Sequence, residues 1–88
     1  MFKKWLELAS LIQENQTKIC PVCGENDIDF QYIGDLVTKV GYLDIWCNKC
    51  LHGIHISRVK APEGVNIISF DAHGDIIKRI PDFKQITP

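Results

Sequence analysis

The sequence predicts a small α+β domain, mainly β, built from an N-terminal amphipathic helix, three antiparallel strands and a C-terminal β-hairpin. Three patterns carry that expectation. Apolar residues recur at helical spacing over residues 2–15. Apolar and polar residues alternate through most of 28–59, in segments separated by turn residues. Two Cys-x-x-Cys pairs, Cys20-Pro21-Val22-Cys23 and Cys47-Asn48-Lys49-Cys50, bracket the first two strands and use every cysteine of the chain.

In the helix, Phe2, Trp5, Leu6, Ala9 and Ile12 follow the i, i+3, i+4, i+7 rule, with Leu8 at the edge. Lys3, Lys4, Glu7, Ser10 and Glu14 take the other side, and Leu11 falls among them. Such a helix is expected to cover one face of a sheet; docking or dimerisation is the functional alternative. Asn15 and Thr17 are weak helix formers and mark its end.

The first strand is expected where Ile28, Phe30 and Tyr32 alternate with Asp29, Gln31 and Ile33; Gly34-Asp35 breaks it. The second runs over about 39–46, with Leu43 and Ile45 on one face and Tyr42, Asp44 and Trp46 on the other. It feeds Cys47 into the second cysteine pair. The third covers 53–59, with Ile54 and Ile56 opposite His55 and Ser57. Pro62-Glu63-Gly64 reads as a turn. Residues 65–70 and 76–80 then form the expected C-terminal hairpin around Ala72-His73-Gly74-Asp75, ended by Pro81. Phe83 and Ile86 in the tail are expected to pack back on the domain. Residues 1–88 thus make one domain: a helix at 2–15, a cysteine-bounded sheet at 20–58 and a hairpin at 65–80.

Two residues between cysteines let one tight turn aim both sulfurs at one point, so two turns supply a tetrahedron of thiolates. Zinc is the expected metal, one structural ion held by Cys20, Cys23, Cys47 and Cys50. Four protein thiolates leave no open position for substrate or water. Pro21 presets φ in the first turn, and Gly24 after it can take φ > 0. Leu51 stands at the place equivalent to Gly24, so the second turn is expected to close differently. The interval between the pairs is slightly longer than the usual one of about 15–20 residues, which a hairpin with a long tip accommodates. Two disulfides in a secreted mini-protein and a thioredoxin-like dithiol are the alternatives. No signal peptide is visible, and the residues after Cys23 read as turn and strand rather than helix. Iron in a rubredoxin-type site remains open, because the same four thiolates could hold it.

The chain is 45% hydrophobic and 24% charged, an ordinary globular composition. At 88 residues its core is small, and a structural metal is a common remedy. The net charge of −1, with no basic run longer than two, counts against non-specific nucleic-acid binding. No apolar stretch is long enough to span a membrane. Reduced thiolates without a targeting segment point to the cytoplasm.

A cysteine turn, a β-hairpin, a second cysteine turn and a third strand resemble the zinc-ribbon superfamily over residues 20–58, on the positions Cys20, Cys23, Cys47 and Cys50. The wider string from Gly41-Tyr42-Leu43-Asp44-Ile45-Trp46 through Gly53-Ile54-His55-Ile56-Ser57-Arg58 is similar to small, uncharacterised bacterial zinc-ribbon proteins. The resemblance implies a binding role. Transcription-elongation ribbons carry an adjacent acidic pair at the hairpin tip, where this chain has only Asp35.

The candidate binding surface is Tyr42, Trp46, His55 and Arg58. Aromatic residues on a sheet can stack nucleobases, although packing beneath the N-terminal helix against Trp5 or Phe2 is the plainer role for Tyr42 and Trp46. Arg58 and Lys60, with Lys39 and Lys49, are the candidate basic patch. His52 and His55 follow the second cysteine pair closely enough to be metal ligands or a general base, but a contact around a complete thiolate shell is the plainer role. No catalytic motif is present: His73-Gly74-Asp75 has the wrong acid for a zinc deaminase. The expected function is a structural-zinc module that binds a protein, with nucleic-acid binding as the alternative. A hydrolase using His52 or His55 at an open metal site is a third class. Homodimerisation through the helix or an edge strand is a further expectation.

Overall fold

The computed structural model describes residues 2–12 and 18–87. Its element order is α1 (Phe2–Ile12), β1 (Ile28–Gly34), β2 (Val40–Cys47), β3 (His52–Lys60), β4 (Ile67–Ser69), α2 (His73–Arg79) and β5 (Lys84–Gln85). The five strands form one sheet in the order β4-β1-β2-β3-β5. The residues expected to end the first helix, Asn15 and Thr17, lie outside the described residues.

The antiparallel meander β1-β2-β3 is the one the alternation predicts, with Ile28 opposite Cys47 and Trp46 opposite Gly53. Tyr32, Leu43, Ile45 and Ile54 point to one face and are buried with Trp5 and Leu8 of α1. Each such large side chain contributes about 1.5–3 kcal/mol by leaving water. The helix is rotated from the expected stripe. Leu8 is buried and Leu11 half-buried against the core, whereas Leu6 is exposed. Leu6 and Leu11 lie on opposite flanks of the Trp5 stripe at about 100° per residue, and the sheet covers the Leu11 flank.

The C-terminal part differs from expectation. No hairpin forms over 65–80 among the described residues. Ile67–Ser69 instead joins the outer edge of β1 in parallel, Tyr32 facing Ile67. Residues expected as the last strand are the helix α2, with Ile76 N–H donating to Ala72 O and Ile80 N–H to Ile76 O. Pro81 ends this helix rather than a strand. Apolar residues at Ile76, Ile77 and Ile80 suit both a three-to-four-residue and a two-residue period, so the short run does not distinguish helix from strand. Beyond it, Lys84–Gln85 adds to β3 in parallel, and Ile86 N–H donates to Gly53 O.

β2 and β3 are offset between Gly41 and Tyr42, whose partners are Val59 and Ser57. Arg58 is the extra residue of this bulge and takes φ +58°. No helix of the described residues is long and apolar enough to cross a membrane.

Candidate metal centre and the opposite sheet face

Four sulfurs converge where α1, the turn at 20–24 and the end of β2 meet. The Sγ atoms of Cys20, Cys23, Cys47 and Cys50 all lie within 4.8 Å of one another. Cys20 and Cys50 are 3.6 Å apart, as are Cys23 and Cys47. Ligands at about 2.3 Å around a tetrahedral metal stand about 3.8 Å from each other, so the arrangement fits a metal ion. No disulfide joins the four thiols. His52 and His55 stand outside the cluster.

The two cysteine turns close in the same way, against the expectation for Leu51. Gly24 N–H donates to Cys20 O at 2.9 Å, and Leu51 N–H donates to Cys47 O at 2.9 Å. Gly24 takes φ +77° and Leu51 φ +55°. The i→i+4 bond that brings the sulfurs together demands the left-handed conformation at this position. Leucine adopts it at a cost of roughly 1–2 kcal/mol. Backbone N–H groups of Val22 and Cys23 point at the Cys20 sulfur, at 3.3 and 3.5 Å. The backbone N–H of His52 does the same for Cys50.

Burial pushes the Cys50 thiol up to about 12, with the His52 N–H opposing and the other three sulfurs adding to the rise. A dication bound among the four sulfurs would supply the charge that favours thiolate over thiol.

The other face of the sheet carries the expected binding residues. Trp46 is fully buried, not on the α1 side but under the C-terminal segment. Phe83 stacks on it at 6.1 Å, and the Arg79 guanidinium lies 5.3 Å from its ring centre. Its indole N–H donates to Asn48 Oδ1. Gly53 makes this stacking possible: a methyl there would fall on Ile45 O and come within 2.8 Å of the Phe83 ring. Trp46 is thus packed away rather than offered as a stacking surface.

Tyr42 and His55 do come together, ring centres 4.7 Å apart. His55 Nδ1 lies 2.7 Å from Asp44 Oδ1, and with Asp44 ionised Nδ1 carries the proton. Asp44 is 8% exposed, while the His55 side chain is 39% exposed. Burial pushes the Asp44 carboxyl up, and the His55 hydrogen bond pulls against it. Burial also raises the Tyr42 hydroxyl, with the Asp44 charge adding to the shift.

Arg58 stands apart and exposed at the bulge. Lys39 lies at the same end of β2 and pairs with Glu63 at 3.7 Å, but Lys49 belongs to the cysteine turn at the other end. The four basic residues therefore do not form one patch. Asp35 Oδ1 accepts from Val37 and Thr38 N–H at 2.7 and 2.9 Å, so the tip carboxylate serves its own turn.

Sequence reasoning placed Asp44 with Tyr42 and Trp46 but gave it no role; an acid flanked by aromatics on an alternating strand is the pattern that marks it. Arg79 had no such pattern, because its partners are 48 to 50 residues away. Comparison of the chain with protein-family models, with curated proteins and with solved structures gives no match.

Proposed function

We propose that this protein is a small binding module of zinc-ribbon type, with one structural zinc ion held by Cys20, Cys23, Cys47 and Cys50. The observation that carries the proposal is the convergence of four sulfurs from two equivalent turns. A four-thiolate shell favours zinc or iron over harder metals, and the closed shell suits support of the fold rather than catalysis. The module acts by binding a protein, in a compartment that keeps thiols reduced.

A protein partner is favoured over nucleic acid by two features. Trp46 is covered by Arg79 and Phe83, which removes the main base-stacking candidate. Lys49 is separated from Arg58, Lys60 and Lys39 by the length of β2, so these four residues form no continuous basic track.

Elemental analysis of the purified chain, with X-ray absorption at the metal edge, tests the first part. One zinc with four sulfur neighbours is the expected result; iron or a mixed sulfur–nitrogen shell would reject it. Affinity capture from the native host with metal-loaded and metal-stripped bait tests the second. A protein retained only by the loaded form is expected, whereas salt-sensitive retention of nucleic acid would replace this proposal.

A further inference from the structure

The sheet face opposite α1 already holds one guanidinium. Arg79 meets the Asp29 carboxylate with two nitrogens at 2.8 and 3.0 Å, donates to Gln31 Oε1 at 3.1 Å and lies over Trp46. A carboxylate, an amide oxygen and an aromatic face together satisfy the charge, the N–H groups and the flat surface of that cation.

A second set of the same groups lies beside the first. Asp44 is the next acid along the face, and Asp44, His55, Asp82, Phe83 and Gln85 line a cleft of about 340 Å³. Asp44 and Asp82 also line an adjoining cleft of about 370 Å³, walled by Ile76, Ile77 and Ile80. Two carboxylates, a side-chain amide and an aromatic ring stand at one end, and aliphatic side chains at the other. In this second set, Asp44 has His55 as its hydrogen-bonded partner among the described residues, with no lysine or arginine on it. His55 bonds one carboxylate oxygen, and Asp44 lines both clefts.

A buried carboxylate in the middle strand of a sheet loses hydration that one hydrogen bond replaces only in part. Both clefts are shallow and open to solvent, and their polar groups at one end with apolar walls at the other suit the end of an extended side chain.

We propose that the cleft over Asp44 binds a cation carried on an aliphatic stem, the chemistry of a lysine or arginine side chain or of a free alkylamine. The ammonium or guanidinium sits between Asp44 and Asp82 against Phe83, and the stem lies along Ile76, Ile77 and Ile80. The site rests on the binding role proposed above and specifies what a partner would present to it.

Titration of the full metal-loaded chain, followed by amide NMR shifts, tests this. The probes are butylammonium, Nα-acetyl-lysine methylamide, the arginine counterpart and a lysine-containing pentapeptide, with Nα-acetyl-norleucine methylamide as the uncharged control. Saturable shifts at Tyr42, Asp44, His55 and Phe83 with the cations, and none with norleucine, are expected. Tighter binding of the peptide identifies a protein side chain as the ligand, and tighter binding of butylammonium identifies a free amine. Asp44→Asn is expected to weaken binding about tenfold or more, as loss of a largely buried charge partner does. The exposed Asp82→Asn is expected to weaken it about twofold to fivefold and supplies a variant that does not disturb the sheet. No shift at Asp44 and His55, equal binding of norleucine, or unchanged affinity in Asp82→Asn would overturn the site. Capture of a protein partner by a chain that fails this titration would overturn the cleft alone and leave the binding module standing.

Discussion

Arg79 of α2 grips Asp29 of β1 with two guanidinium nitrogens, at 2.8 and 3.0 Å, across 50 residues of sequence. The same side chain also donates to Gln31 Oε1 and Phe30 O. One residue thereby fastens the C-terminal helix to a sheet face that its own apolar residues, none fully buried, hold only weakly.

Replacing Arg79 with Met keeps much of the stem but removes these bonds. Both partners are more than a third exposed, so solvent screening lowers the effect, and a loss of about 1–2 kcal/mol is expected. The Arg79 hydrogen bonds hold the Asp29 carboxyl below its ordinary value in the folded protein. The resulting stabilisation is therefore present at neutral pH, above the unfolded value, and disappears as pH falls through the folded value. Denaturant melts from pH 7 to pH 3 should show the Arg79→Met deficit shrinking with acidity.

Asp44 should behave oppositely. Its carboxyl is raised by burial, so ionising it costs stability at neutral pH, and that cost vanishes below the unfolded value. Asp44→Asn removes the ionisation cost and keeps an oxygen for His55. An unfolding midpoint at pH 7 equal to or above that of the parent is expected, together with the loss of cation affinity proposed above. A large destabilisation would mean that the Asp44–His55 pair holds the sheet together.

The equivalence of Gly24 and Leu51 gives a pair of substitutions with opposite signs. A methyl at Gly24 would meet nothing within 4 Å, so Gly24→Ala reports only the left-handed backbone, at about 1 kcal/mol of destabilisation. Leu51→Gly relieves the same strain in the second turn. Leu51 is 42% exposed, so little packing is lost, and a change between zero and about 1 kcal/mol in the stabilising direction is expected. Metal affinity measured by chelator competition should be unaltered in Leu51→Gly.

Metal removal should unfold the cysteine-bounded sheet. Cys20 and Cys47 are buried, and binding to the folded state alone makes metal affinity part of folding stability, on the order of 10 kcal/mol in small zinc peptides. Strong chelation or Cys23→Ser is expected to abolish the cooperative melt and to expose the amides of β1 to β3 to hydrogen exchange. An unchanged melt after verified metal loss would contradict this.

Gly53→Ala should separate the C-terminal segment from the sheet. The added methyl collides with Ile45 O and the Phe83 ring. A cost of about 2–3 kcal/mol is expected, of the size seen for overpacked sites. Red-shifted Trp fluorescence, as Trp46 loses its Phe83 cover, would report it.

The cysteine cluster and the sheet that carries it were legible in the sequence because both depend on short-range spacing. Cys20 and Cys23 meet through one turn, and Ile28, Phe30 and Tyr32 share a face through strand alternation. The helix α1 was legible as an element, but not its rotation, because Leu6 and Leu11 flank the stripe symmetrically and only the packed sheet chooses between them. Leu51 misled for a related reason. A residue's preference for negative φ is worth roughly 1–2 kcal/mol, and a hydrogen-bonded turn around a ligand cluster overrides it.

Local pattern by itself determined the four cysteines that converge, the three central strands and the identity of their two faces. Tertiary structure decided what covers the second face. It made 73–79 a helix rather than a strand, placed Arg79 on Asp29 and Phe83 on Trp46, and left Asp44 with His55 in a cleft. The Arg79–Asp29 and Phe83–Trp46 contacts join residues tens of positions apart through charge and ring contacts, which carry no period along the chain. They exist only once the meander has brought Asp29, Asp44 and Trp46 onto one face.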